Sequence, residues 1–102
     1  TPDQIAILPV SEKFNESAQN ILNSLNNYDI RGFVDERNEK VGRKIRDSEM
    51  KKVPYMLIIG EKEVETNSLS VRKHSEGDLG TFTVKEFANL INNEIEKDIN
   101  NN

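Results

Sequence analysis

The 102-residue chain carries 14 Lys and Arg against 18 Asp and Glu, a formal net charge of −4, with one histidine and no cysteine. Such a length supports one modest core, and the lack of cysteine excludes disulfides and thiolate metal sites. Its longest apolar run, Tyr55 to Ile59, is far too short to cross a bilayer, and no basic then apolar leader opens the chain, so a cytoplasmic domain without membrane contact is expected.

In chain order, "QIAILPV" is a short apolar run ending at Pro9 and Ser11, suited to a strand covered on both faces. Ser11 or Asn15 is placed to cap a following helix, in which Phe14, Ala18, Ile21, Leu22 and Leu25 recur at helical spacing. "NNYD" breaks that helix and "IRGFVD" reads as a second strand. The next segment is basic and brings Val41, Ile45 and Ser48 within about 60° of one another on a helical wheel, which predicts a helix with a narrow buried edge and a broad wet face. Pro54 forbids its continuation, and "YMLIIG" is the most apolar strand of the chain. "EKEVETNSLSVRKH" reads as a hairpin-like return with a polar turn at Thr66 to Ser68, and "DLGTFT" as a short final strand. Thr83 and Glu86 have capping-box spacing ahead of a last helix whose stripe is Val84, Phe87, Ala88, Ile91 and Ile95. Strand and helix alternate at first and antiparallel return follows. The expected fold is therefore α/β, a mixed sheet of about five strands flanked by three helices in one domain.

Charge is unevenly distributed along this order. Residues 36–52 hold seven basic groups against four acids, whereas the remainder holds seven against fourteen. A positive patch on a repulsive body suits selective polyanion binding, although a solvated helix face gives the same composition. Catalytic constellations are scarce. His74 lies in a polar stretch, the turn "PVSEKFN" after the first strand is no Gly-rich phosphate loop, and the carboxylates of "EKEVE" lack a histidine partner for a metal. A small stand-alone enzyme lacks candidates for its acid, base or nucleophile, so binding is the better class of answer.

The segments "RNEKVGRKIR", "VPYMLIIGEKEVE" and "SVR", followed by "GDLGTFTVKEF", resemble the C-terminal anticodon-binding domain of threonyl-tRNA synthetase, a class II aminoacyl-tRNA synthetase. The resemblance spans nearly the whole chain from "ILPVSEKFNESAQ" onward, and the proline, histidine and glycine relatives share the architecture without this combination of motifs. It implies a mixed five-stranded sheet with three surrounding helices and a chain cut from the C-terminus of a longer synthetase. The longer protein would attach threonine to its tRNA as a homodimer using ATP, magnesium and zinc. The domain itself would need no cofactor and bind no DNA.

The same resemblance implies site residues. Threonine anticodons have G in the middle and U in the third place, and unstacked loop bases are read on their edges. Glu63 and Arg72 would read the middle G, the carboxylate accepting from N1 and N2 and the guanidinium donating to O6 and N7. Asn38 would contribute a base contact, with Lys40 and Arg46 on bases or phosphates and Arg43, Lys44 and Lys52 on phosphates. Each has a plainer alternative: Asn38 as a helix cap, Glu63 as a surface ion pair with Lys62 or Arg72, and Arg72 as a solvent-facing strand residue. An interaction module built on the same fold would need none of the three together. Arg43 stands where many relatives carry an aromatic, Lys52 where some carry Arg, and "KHSEGD" after Arg72 is less basic than usual.

Overall fold

The computed structural model describes residues 3–100, the side chains of residues 95–100 excepted. Five strands form one sheet in the order β2-β1-β3-β4-β5. The strands β1 (Ile5–Pro9), β2 (Gly32–Val34) and β3 (Tyr55–Ile59) are parallel. β4 (Leu69–Lys73) runs antiparallel to β3, and β5 (Gly77–Phe82) antiparallel to β4, so that β4 alone opposes the direction of the other strands. Among the described residues four α-helices join them: α1 (Asn15–Asn26), α2 (Val41–Met50), α3 (Glu61–Thr66) and α4 (Val84–Asn100).

Alternation along the strands builds two cores. Ile5, Ile7, Tyr55, Leu57, Ile59, Leu69 and Val71 face α1 and α4, meeting Ala18, Leu25, Phe87, Ala88 and Ile91. Ala6, Leu8 and Met56 face the other way, under Val41 and Ile45 of α2. Placing β1 inside the sheet, between β2 and β3, explains why "IAILP" is apolar on both faces. The β1–β2 register demands a glycine, since a Cβ on Gly32 would lie 2.2 Å from the backbone oxygen of Ile5.

Two expectations are corrected. "EKEVET" is the helix α3 and not the first arm of a hairpin, so the helices number four and not three. Six residues of alternating charge carry no helical stripe, and local chemistry decides the outcome. Glu63 Oε1 accepts from Gly60 N at 2.8 Å at the start, and Asn67 stops the helix in the left-handed region with φ 51°. At α1 neither Ser11 nor Asn15 caps through its side chain, because a 3-10 turn, Glu12–Phe14, precedes the helix. The Thr83 and Glu86 capping box forms as expected, with Thr83 N donating to Glu86 Oε1 and Glu86 N to Thr83 Oγ1. Ile95, the last member of the expected α4 stripe, has its side chain outside the described residues.

Tyr55 ties α4 to the sheet. Its ring meets Phe87 edge-on at 5.4 Å and its hydroxyl donates to Glu94 Oε2 at 2.6 Å. Burial first, and then this carboxylate, push the phenol from 10.0 up to about 12. A folded value above the unfolded one gives stability that is fully present below pH 10 and lost as pH rises through about 12. Tyr55→Phe is accordingly expected to cost about 1 kcal/mol at neutral pH. Urea unfolding across alkaline pH should show the gap between wild type and variant closing; a constant gap would contradict the assignment.

Candidate nucleic-acid interface

The basic segment forms α2 and its flanks. On its wheel Lys44 falls about 40° from Ser48 and so joins the buried edge instead of the wet face. Only 1% of Lys44 is exposed, and its Nζ donates to Pro9 O and Asp35 O, both at 2.9 Å. The phosphate role expected of Lys44 is thereby corrected: its ammonium is enclosed and spent on tying together the carboxyl ends of β1 and β2. Lys40, Arg43, Arg46, Lys51 and Lys52 are exposed and form the cationic surface. The helix ends before Pro54, in a Schellman arrangement: Val53 N donates to Ser48 O, Lys52 N to Glu49 O, and Lys52 takes φ 61°.

Asn38 lies in the loop between β2 and α2. It does not cap the helix, since the N-cap residue is Lys40. Together with Lys40 it lines an open cleft of about 630 Å³, whose opposite wall is Val10, Ser11 and Lys13 from the turn after β1. This cleft stands at the carboxyl ends of parallel strands, where open α/β sheets present their ligand-binding loops. Lys13 was missed by sequence reasoning. It is an isolated cation in the chain, and only the adjacency of β1 and β2 brings it to the cleft that Lys40 lines, together with the acids Glu12 and Glu39.

Glu63 and Arg72 form a second group. Arg72 pairs with Met56 across the β3–β4 ladder, and Ser70 with Ile58, so both side chains lie on the α2 side of the sheet. Because α2 packs chiefly on β1 and β3, they stand beside it. Arg72 is partly buried, and its Nε has no hydrogen-bond partner among the described residues. Ser70, about 7 Å along the same face, donates from Oγ to Glu63 Oε2 at 2.8 Å. Glu63 is thus neither paired with Lys62 nor adrift on the surface: Gly60 N and Ser70 Oγ fix its carboxylate, which retains further lone pairs. Arg72 and Ser70, which holds Glu63, share one face of β4, while Asn38 and Lys40 lie in the connection from β2 to α2, at the carboxyl ends of the parallel strands.

Arg37, counted above among the patch cations, is largely neutralised. Its Nε and Nη2 reach Asp35 Oδ1 and Oδ2 at 2.9 and 2.8 Å, and Nη2 also meets Asp47 Oδ2 at 2.9 Å. Asp35 is nearly buried, and Arg37 holds its carboxyl below the usual carboxylate range against the opposing effect of burial. The two carboxylates raise the Arg37 guanidinium in turn. His74 is partly buried with Nδ1 3.0 Å from Glu49 Oε2, to which Ser75 N donates at 3.4 Å from the turn after β4. Among the described residues no three His, Cys, Asp or Glu side chains gather as a metal site, and no helix is long and apolar enough to cross a membrane.

Residues 4–94 match the family of the anticodon binding domain. Threonine-tRNA ligase of Bacteroides thetaiotaomicron is 58% identical over 98% of the chain, and those of Phocaeicola vulgatus and Cytophaga hutchinsonii are 56% and 54% identical over 98% and 97%. The chain spans only 15–16% of the length of these three relatives. Among solved structures, the RNA binding domain of threonyl-tRNA synthetase from Cryptosporidium parvum Iowa II superposes with a TM-score of 0.80 at 26% identity, covering 86% of this chain and 22% of that one.

Proposed function

The chain belongs to the anticodon-binding domain family, as the domain of a threonyl-tRNA synthetase, and from that premise we propose that it selects threonine tRNA by reading its anticodon loop. The observation that carries the reading is the joint setting of Arg72 and Glu63. A partly buried guanidinium stands on the same face of β4 as Ser70, which together with Gly60 orients the Glu63 carboxylate. Guanine alone among the bases offers acceptors at O6 and N7 together with donors at N1 and N2, and such a donor and acceptor pair suits it. Asn38 meets a neighbouring base splayed from the same loop, a role supported by its exposure at the cleft beyond β2.

The exposed cations have the complementary task. Lys40, Arg43, Arg46, Lys51 and Lys52 hold phosphates and set the position of the loop without distinguishing its sequence. In the longer ligase this domain supplies tRNA selection, and the attachment of threonine, with its ATP, magnesium and zinc, occurs in the remaining length. The chain alone then has no ligase activity. We read that longer protein as a cytoplasmic homodimer.

Salt dependence tests the division of labour. With a threonine-tRNA anticodon stem-loop, log affinity against log salt should fall with a slope of about −2 to −4, since each phosphate neutralised on single-stranded RNA contributes about −0.7. The preference for the threonine loop over one with a changed middle base should persist across the titration. A preference that vanishes with added salt would overturn the reading in favour of a sequence-blind phosphate patch.

A further inference from the structure

We propose that Asp35, Arg37 and Asp47 form a clasp that positions the Asn38 loop for RNA, so that Asp47, an acidic residue on the basic helix, strengthens cognate binding. The inference rests on the anticodon-loop reading and deepens it. Arg37 is gripped from two elements at once: Asp35 at the end of β2 takes both Nε and Nη2, and Asp47, two turns along α2 from Lys40, takes Nη2. The backbone is held as well. Arg37 N donates to Asp35 Oδ1 at 3.2 Å, Glu39 N to Arg37 O at 2.9 Å, and Asp35 N to Ile7 O at 2.9 Å. Asn38 stands directly between the two residues so bound, exposed and next to the cleft.

A base reader on a loop binds well only if the loop is ordered before the ligand arrives, because ordering it on binding is subtracted from affinity. The clasp supplies that order where the sequence offers none: "DERNEK" has no glycine, proline or apolar anchor between strand and helix. Asp47 retains 28% side-chain exposure, and Arg37 retains 48%. The contacts are therefore accessible to substitution without opening the core, and the ammonium of Lys44 independently ties Asp35 O to β1. Arg37 is a positioning residue and so is Asp47; neither needs to touch RNA.

The sign of the effect separates this role from simple electrostatics. Asp47→Asn removes a negative charge from a phosphate-binding helix and, by Coulomb attraction alone, would tighten RNA binding. The clasp requires the opposite. On the threonine stem-loop at fixed salt, Asp47→Asn should weaken binding about three- to tenfold, the scale of a lost charge-assisted contact. Arg37→Lys, which keeps the charge and loses the fork, should weaken it comparably. In a cycle with Asn38→Ala the loss should nearly disappear, since a loop without its reader gains nothing from being ordered. Hydrogen exchange at the Arg37 and Glu39 amides should rise in both clasp variants, with the sheet amides unchanged. Wild-type selectivity with unchanged or tighter binding by Asp47→Asn would overturn the clasp alone. Absence of any wild-type preference for the threonine loop would overturn the anticodon reading and the inference resting on it.

Discussion

Lys44→Met is expected to lower folding stability by about 3 kcal/mol, with a fall in Tm on the order of 10–20 °C. Methionine matches the length and apolar volume of the lysine stem, so little cavity is created beneath α2. What vanishes is the ammonium, and with it the donor to Pro9 O and Asp35 O. A buried carbonyl left without a donor costs about 1–3 kcal/mol, and two are left here; relief from burying a charge offsets part of the sum. The Asp35 carboxylate also loses a favourable neighbouring cation. Urea unfolding at neutral pH measures the effect. A loss below about 0.5 kcal/mol, the range of ordinary surface substitutions, would show that Lys44 is not the tie between β1 and β2.

Arg72→Ala should leave the fold nearly unchanged and weaken binding of the threonine stem-loop by about 1–3 kcal/mol, the worth of one good bidentate base contact. The asymmetry follows from the setting: Leu69 and Val71 supply the core contacts of β4, whereas Arg72 faces the opposite side with Nε unpartnered. Arg72→Lys should recover only a minor part of the loss, because a point charge satisfies phosphate but not the two adjacent acceptors of guanine. Full recovery with lysine would assign Arg72 to the phosphate-binding group. Glu63→Gln is a less clean probe, since that carboxylate also anchors α3 through Gly60 N.

The elements that could be read from the sequence are those with long or one-sided apolar patterns. The runs of β1 and β3 are buried almost throughout, and α4 carries its cap and stripe in the chain itself. Periodicity failed at α3, which is six residues long and held by one carboxylate and one left-handed asparagine. Lys44 defeated the basic-helix reading for another reason. Its acceptors are backbone oxygens 35 and 9 residues away, which meet only when the sheet closes. In the candidate site, family resemblance singles out Glu63 and Arg72, but Ser70, which holds the Glu63 carboxylate on the face that Arg72 shares, carries no motif of its own. Arg37 was legible as a cation and not as an internal one, because Asp35 and Asp47 flank it among other acids that remain free on the surface.

The central claim is that Arg72 reads the middle base of the anticodon. A double cycle measures it most directly: wild type and Arg72→Ala, each bound to the threonine stem-loop with G in the middle and with A in its place, at one salt concentration. Either change alone should cost about 1–3 kcal/mol, and the two together little more than one, because both remove the same contact. Losses that simply add, or equal binding of both loops by the wild type, would contradict the claim.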